Sequence, residues 1–303
     1  MLFEFGMFHE FQCPAGTSQP DAFAESFAQV EAAERWGLDA MWLAEIHVAP
    51  ERSVCAVPLT IASAIAARTN RIKIGTGVQV LPLCHPLRIG EEAATVDQIS
   101  HGRLIFGVER SGFPRTYEAY GVPYGESRER FAETLEILKR AWTEDPFSYS
   151  GKFYKFENVR LTPKPYQKPW PEIRIAANSP DTFPAIGTLG HGVFVAVRLG
   201  TLPELAPNIR AYREAYKAAG HPGEGKVFLR ARYTSARRPN RPAPSPKTAS
   251  CISTDTLASG SKIQPPAPAC VRSKIARRAG ADCRRLLTMR RGAIRSSSAR
   301  PKR

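Results

Sequence analysis

No Cys-x-x-Cys pair occurs anywhere in the 303 residues, and six cysteines are too few to staple a chain of this length. That scarcity argues against a zinc ribbon, a dithiol redox centre or a disulfide scaffold. The cysteines are expected as reduced thiols, with Cys84 in a run that reads as buried, and no metal site is expected. No window approaches the roughly 18 apolar residues of a membrane span. Met1-Leu2-Phe3-Glu4 also lacks a basic start before an apolar run, so a cytoplasmic protein is expected. No Gly-x-Gly-x-x-Gly follows the first apolar run and there is no Walker loop, which argues against dinucleotide-binding and P-loop folds. What is present, 43% hydrophobic and 23% charged residues, is the composition of a globular chain. The length allows two average domains or one large barrel.

Aromatic residues and histidines are also missing from one part of the chain. None of the 28 aromatics and none of the six histidines lies beyond Tyr233. The formal net charge of +15 has the opposite distribution. Residues 235–303 carry 13 Arg and 4 Lys against only Asp255 and Asp282, whereas 1–234 hold 26 basic and 26 acidic groups. A tail of Arg, Ala, Ser and Pro has little to bury and cannot offset the cost of ordering its backbone, so it is expected to be disordered. Two origins stay open, a functional basic arm and an out-of-frame reading of a GC-rich gene, whose codons yield these residue types. The lack of lysine clusters and of stacking aromatics between the charges favours the second and speaks against a nucleic-acid partner. The chain is therefore divided into a body, 1–234, and a low-complexity basic tail, 235–303.

Strand and helix patterns alternate through the body. Apolar runs at Leu2–Phe8, Leu38–Leu43, Ile72–Val78, Arg103–Val108, Ile173–Ala177, Val193–Val197 and Lys226–Arg232 read as buried strands. Between them lie helical patterns at 21–36, 56–68, 88–99, 127–142, 181–189 and 203–219. This rhythm predicts a parallel sheet covered by helices, and the short links favour a closed (β/α) barrel over a doubly wound sheet. Residues 109–126 belong to a βα loop, the side of a barrel on which sites are built. Residues 147–171 read as a small hairpin and an extended link. A (β/α)8 barrel needs roughly 250 residues, so seven strands leave it incomplete, with the first and last as open apolar edges.

Four stretches carry a further signal: Trp-Gly-Leu-Asp-Ala-Met-Trp-Leu-Ala-Glu-Ile-His (36–47), Ile-Gly-Thr-Gly-Val-Gln-Val-Leu-Pro-Leu-Cys-His-Pro-Leu-Arg (74–88), Asp-Gln-Ile-Ser-His-Gly-Arg-Leu-Ile-Phe-Gly-Val (97–108) and Ile-Ala-Ala-Asn-Ser (175–179). In this order and spacing they make residues 1–234 resemble the bacterial luciferase-like family of flavin-dependent monooxygenases. The resemblance implies a TIM barrel, reduced FMN delivered by a separate flavin reductase, oxygen transfer to a small organic substrate, and a homodimer or heterodimer. A deazaflavin-dependent oxidoreductase and a truncated, non-catalytic barrel fragment are the alternatives.

The resemblance also implies site residues. Arg110, just beyond the fourth strand, matches the flavin-phosphate arginine, and a guanidinium fork suits a phosphate dianion. An ion pair of Arg110 with Glu109 or Glu118 is the plain alternative. Ala177, Asn178, Ser179 and Thr182 follow the fifth strand and open a helix, where N–H groups and hydroxyls favour an anion. Gly77 and Val78 match a non-proline cis peptide under the flavin ring, or else a glycine bulge. Glu45 and His47 are the catalytic candidates. Luciferase itself has two consecutive histidines after this glutamate, and here Ile46 replaces the first while His47 matches the second. His9 and His85 are further acid–base candidates, although a single histidine is more often a structural hydrogen-bonding group, and for His85, before Pro86, the plain alternative is the start of the third helix. Glu109 stands where luciferase has a cysteine beside the flavin. Phe8, Trp42, Phe113, Tyr117 and Tyr120 are expected to gather at the barrel mouth and keep water out.

Overall fold

The computed structural model describes residues 4–197, 202–232 and 250–254. In chain order the elements are β1 (Phe5–His9), α1 (Gln19–Arg35), β2 (Ala40–Leu43), α2 (Pro58–Arg68), β3 (Lys73–Thr76), β4 (Gln79–Val80), α3 (Pro86–Ile99), β5 (Leu104–Glu109), α4 (Pro114–Ala119), α5 (Ser127–Thr143), β6 (Phe147–Ser150), β7 (Lys155–Val159), β8 (Glu172–Ala176), α6 (Thr182–Leu189), β9 (Gly192–Ala196), α7 (Leu202–Ala218), β10 (Val227–Arg232) and β11 (Ser250–Thr254). The seven expected strands correspond to β1, β2, β3, β5, β8, β9 and β10. The six expected helices fall within three residues of α1, α2, α3, α5, α6 and α7. Leu2 and Phe3, placed in the first strand by their apolarity, lie outside the described residues.

The seven strands are parallel and pair in the ring order β3-β2-β1, then β10-β9-β8-β5, with β5 returning to β3. All four residues of β2, Ala-Met-Trp-Leu, are buried, since one face looks into the barrel and the other lies under helices. The expected hairpin is present as the antiparallel pair β6 and β7.

β1 and β10 do not pair with each other, so the parallel strands alone leave one seam. The seven parallel strands thus leave the incomplete barrel that the strand count predicts, and one short segment of the tail lies along that seam. Ser250–Thr254 runs antiparallel to both neighbours, with Phe5 opposite Ser253 and Leu229 opposite Ser253. Two open edges offer rows of backbone donors and acceptors, and backbone pairing needs none of the aromatic or alternating apolar signals on which a strand is normally recognised. The remaining tail residues, 235–249 and 255–303, lie outside the described residues.

Trp42 occupies the middle of the cylinder. It is buried with Phe8, Ala40, Ala44, Ile105, Phe194 and Phe228, and its ring centroid lies 5.4 Å from that of Phe194. The Arg174 guanidinium lies 4.7 Å from the Trp42 ring and 3.3 Å from the Phe228 ring. A Cβ at Gly75 would fall 2.3 Å from Trp42 Cε3, so the neighbouring strand can pass the indole only as glycine. The expectation that Trp42 stands at the mouth is therefore corrected: a large flat ring on an inward-facing strand position fills the interior.

Candidate active site

Every parallel strand ends at the same rim, and the predicted residues sit there or in the loops just beyond. Ladder bonds hold their backbones. Ala44 N–H donates to His9 O at 3.2 Å, Gly77 N–H to Leu43 O at 2.6 Å, and Ala177 N–H to Phe194 O at 2.9 Å. The Gly77–Val78 peptide is cis. A Cβ on Gly77 would meet Phe8 at 3.2 Å and Phe194 at 3.7 Å, so its surface is bare backbone above two aromatic rings.

Glu45 and His47 come together. Glu45 Oε1 lies 2.7 Å from His47 Nε2, and their side chains are 2% and 9% exposed. The other carboxylate oxygen accepts from the Val80 N–H at 2.9 Å and from the Gln79 amide. Burial pushes the Glu45 carboxyl above its ordinary range, against the bonds from His47 and Val80. The far nitrogen of His47, Nδ1, lies 2.9 Å from the Tyr120 hydroxyl, with the two rings edge to face. Burial also pushes the nearby Cys84 thiol up to about 12, and Cys55 higher still, so both stay protonated at neutral pH.

The phosphate candidates form a second group. Arg110 Nη1 donates to the Tyr124 and Ser127 hydroxyls, each at 3.2 Å. Among the described residues no carboxylate forms an ion pair with Arg110, so the suggested pairs with Glu109 and Glu118 are absent. Glu109 instead accepts from the Asn178 amide. Ser179 Oγ lies 2.8 Å from Thr182 Oγ1 and also bonds Asp181, which Arg128 holds at 3.0 Å. Bonds from Ser179 and then Arg128 hold the Asp181 carboxyl below its ordinary range.

The two groups share one stretch of rim. β4 pairs with β5 so that Val80, held by Glu45, stands opposite Glu109, which is held by Asn178. Arg110 and Ser179 thus lie at the same end of the barrel, not at opposite ends.

Other candidates have different roles. His9 is buried, accepts the Phe11 N–H at Nδ1 and contacts Gln29 at Nε2, so both ring nitrogens have partners and it serves structure. His85 precedes α3 and packs its ring against Tyr154 and Phe156 of the hairpin. Tyr117 is fully buried and donates to Arg110 O, whereas Phe113 and Tyr120 are exposed. Cys84 is half-buried rather than buried. The sequence reading missed Gln79 and Ser127. Gln79 was signalled by a single amide within the apolar run Ile74–Leu83. Tyr120 was singled out only as a wall, because no local pattern links it to a histidine 73 residues away.

Among the described residues no helix is long and apolar enough to cross a membrane. The family model described as luciferase-like monooxygenase matches residues 3–283. A flavin-dependent trigonelline monooxygenase, oxygenase component, of Acinetobacter baylyi is 30% identical over 54% of this chain and 46% of its own. An FMNH2-dependent dimethylsulfone monooxygenase of Pseudomonas putida is 36% identical over 38% of this chain and 32% of its own. This chain thus spans about half the length, or less, of such relatives. Among solved structures, the monooxygenase RslO1 of Streptomyces bottropensis is 30% identical with a TM-score of 0.68, covering 72% of this chain and 67% of that one. Two others show the fold alone. The oxygenating constituent of 3,6-diketocamphane monooxygenase of Pseudomonas putida, solved with FMN, is 22% identical with a TM-score of 0.67 over 73% of this chain and 64% of its own. A coenzyme F420-dependent tetrahydromethanopterin reductase of Methanopyrus kandleri is 21% identical with a TM-score of 0.59 over 72% and 62%. With a barrel of this topology, and a family match running over most of its length, the chain belongs to the luciferase-like monooxygenase family.

Proposed function

We propose that the chain binds reduced FMN at this rim and uses it with molecular oxygen to oxygenate a small organic substrate. The observation that carries the reading is Arg110. Among the described residues its guanidinium bonds only neutral hydroxyls, at the same rim as the Ser179 and Thr182 hydroxyls, and a fork of donors beside hydroxyls suits a phosphate dianion. Gly77 and Val78 follow β3 at the same rim, where the missing Cβ of Gly77 lets Phe8 and Phe194 pack close to the backbone, and Ala177 and Asn178 follow β8; these are the residues read as flavin contacts.

When bound, the reduced flavin supplies the electrons that let one oxygen atom enter the substrate while the other leaves as water. The chain's own residues supply the rest. Arg110, Ser179 and Thr182 anchor the phosphate, and Asn178 is aligned by Glu109. Ile46, in the place of a histidine, keeps the region against the core apolar and dry. His47, held by Glu45, is the acid–base group. A separate reductase delivers the reduced flavin, consistent with a relative named as an oxygenase component. A cytoplasmic location, a homodimer or heterodimer, and a division into barrel, 1–234, and basic tail, 235–303, complete the reading.

Anaerobic titration with reduced FMN and with reduced coenzyme F420 tests it. FMN is expected to bind, and spectral binding of F420 alone would establish the deazaflavin alternative instead. In Arg110→Ala, FMN affinity should drop by about tenfold or more, the worth of one charge-assisted hydrogen bond. Riboflavin, which has no phosphate, should bind wild type and variant alike. An equal loss for both ligands would remove Arg110 from the phosphate site.

A further inference from the structure

We propose that Tyr120, His47 and Glu45 form a proton relay, in which Tyr120 meets a protic group of the substrate and Glu45 stores the proton. The proposal rests on the reading of this rim as an active site and deepens it by naming the proton's path and the kind of substrate group it serves.

With Glu45 ionised and His47 neutral, the geometry sets the resting direction of every bond. Val80 N–H and the Gln79 amide can only donate, and both address one oxygen of Glu45. An ionised carboxylate only accepts, so its other oxygen takes the His47 Nε2 proton. Neutral imidazole carries one N–H, so Nδ1 is then a bare lone pair and the Tyr120 hydroxyl must donate to it. With its proton turned inward, the Tyr120 oxygen offers only lone pairs outward. It is thus an acceptor for an O–H or N–H donor on a substrate.

Exposure falls along the same line, from 49% at Tyr120 to 9% and 2% at the His47 and Glu45 side chains. Tyr120 is set at this point by α4, whose last turn it caps through its own N–H to Thr116 O at 3.1 Å. The transfer balances. The substrate X–H bond breaks as a new Tyr120 O–H bond forms, and the original Tyr120 proton moves to Nδ1 of His47. The Nε2 proton then passes to Oε1 of Glu45. One proton has travelled inward, the imidazole has exchanged tautomers, and the negative charge has moved from Glu45 to the substrate atom. The return of the proton reverses each bond. Burial that disfavours an ionised Glu45 favours the loaded state. The other titratable groups beside Glu45, Cys55 and Cys84, are neutral thiols and add no competing charge.

Nitrogen-15 NMR of the full-length, flavin-free chain tests the relay without a substrate. His47 should show the Nε2–H tautomer, and Nδ1–H in the wild type would overturn the proposal. The buried Nε2 proton should exchange with deuterated water through Tyr120. In Tyr120→Phe that exchange should slow by about a hundredfold, the lower end of what a positioned acid–base group contributes. Unchanged or faster exchange would overturn it. FMN titration of the same samples separates the two ideas, since a wild type that does not bind FMN sinks the proposed function while the tautomer and exchange results judge the relay by themselves.

Discussion

His191 precedes β9 and is buried, with no hydrogen-bond partner at Nε2 among the described residues, while the Tyr212 hydroxyl donates to its carbonyl at 2.9 Å. Burial, with help from Lys139 and His221, lowers its pKa from 6.5 to about 3. The unfolded chain therefore binds a proton at this histidine that the folded chain refuses. Its stabilising effect is complete above 6.5 and is lost as the pH falls toward 3. Buried His9 is shifted in the same direction. Between about pH 6.5 and pH 5, above the carboxylate range, one such histidine costs about 2 kcal/mol. Urea unfolding of His191→Gln at about pH 7 and pH 5 should show a smaller drop than wild type, and an equal drop would refute the assignment. At the same scale the sequence made most of the rim legible, because Glu45, Gly77, Arg110 and Ser179 follow strand ends. It did not reveal His9 as structural or Trp42 as core, since residue type does not say which way a side chain points once the strands close into a ring.

Arg103 ties three elements together at the opposite end from the site. Its guanidinium donates to Ala66 O, Thr69 O and Thr69 Oγ1 at the end of α2, to Ile72 O just before β3, and to Ser100 O at the end of α3, all at 2.8–3.0 Å. Helix ends leave carbonyls without intrahelical partners, and a cation there also meets the negative end of the dipole. Arg103→Ala should lower unfolding free energy by about 2–3 kcal/mol, and Arg103→Lys should restore only part, because one ammonium cannot fork across two helix ends. A loss within about 0.5 kcal/mol, the range of an ordinary surface change, would contradict this. The seven parallel strands and six long helices were legible because buried strands form short apolar runs and helices repeat every 3.6 residues. The short elements were not. α4 has six residues in a loop rich in glycine and proline, β4 has two, and β11 is recruited by open edges rather than by its own composition.

For the whole molecule, the seam between β1 and β10 gives the sharpest expectation. A chain ending at 256 retains Ser250–Thr254, which pairs with both edges, whereas a chain ending at 234 exposes them. The shorter form should give less soluble protein and unfold at lower temperature, because unpaired edges invite association. Equal yields and midpoints would show that β11 contributes nothing to closure. A last consequence follows from Trp42, clasped by Phe194 and Arg174 and leaving its neighbouring strand room only for glycine. The indole corks the tube, turning it into a cup with a single opening. Under the proposed function, reactant and product would share that doorway, so each departing molecule would block the next arrival, and the pace of emptying would set an upper limit on how often the cup is refilled.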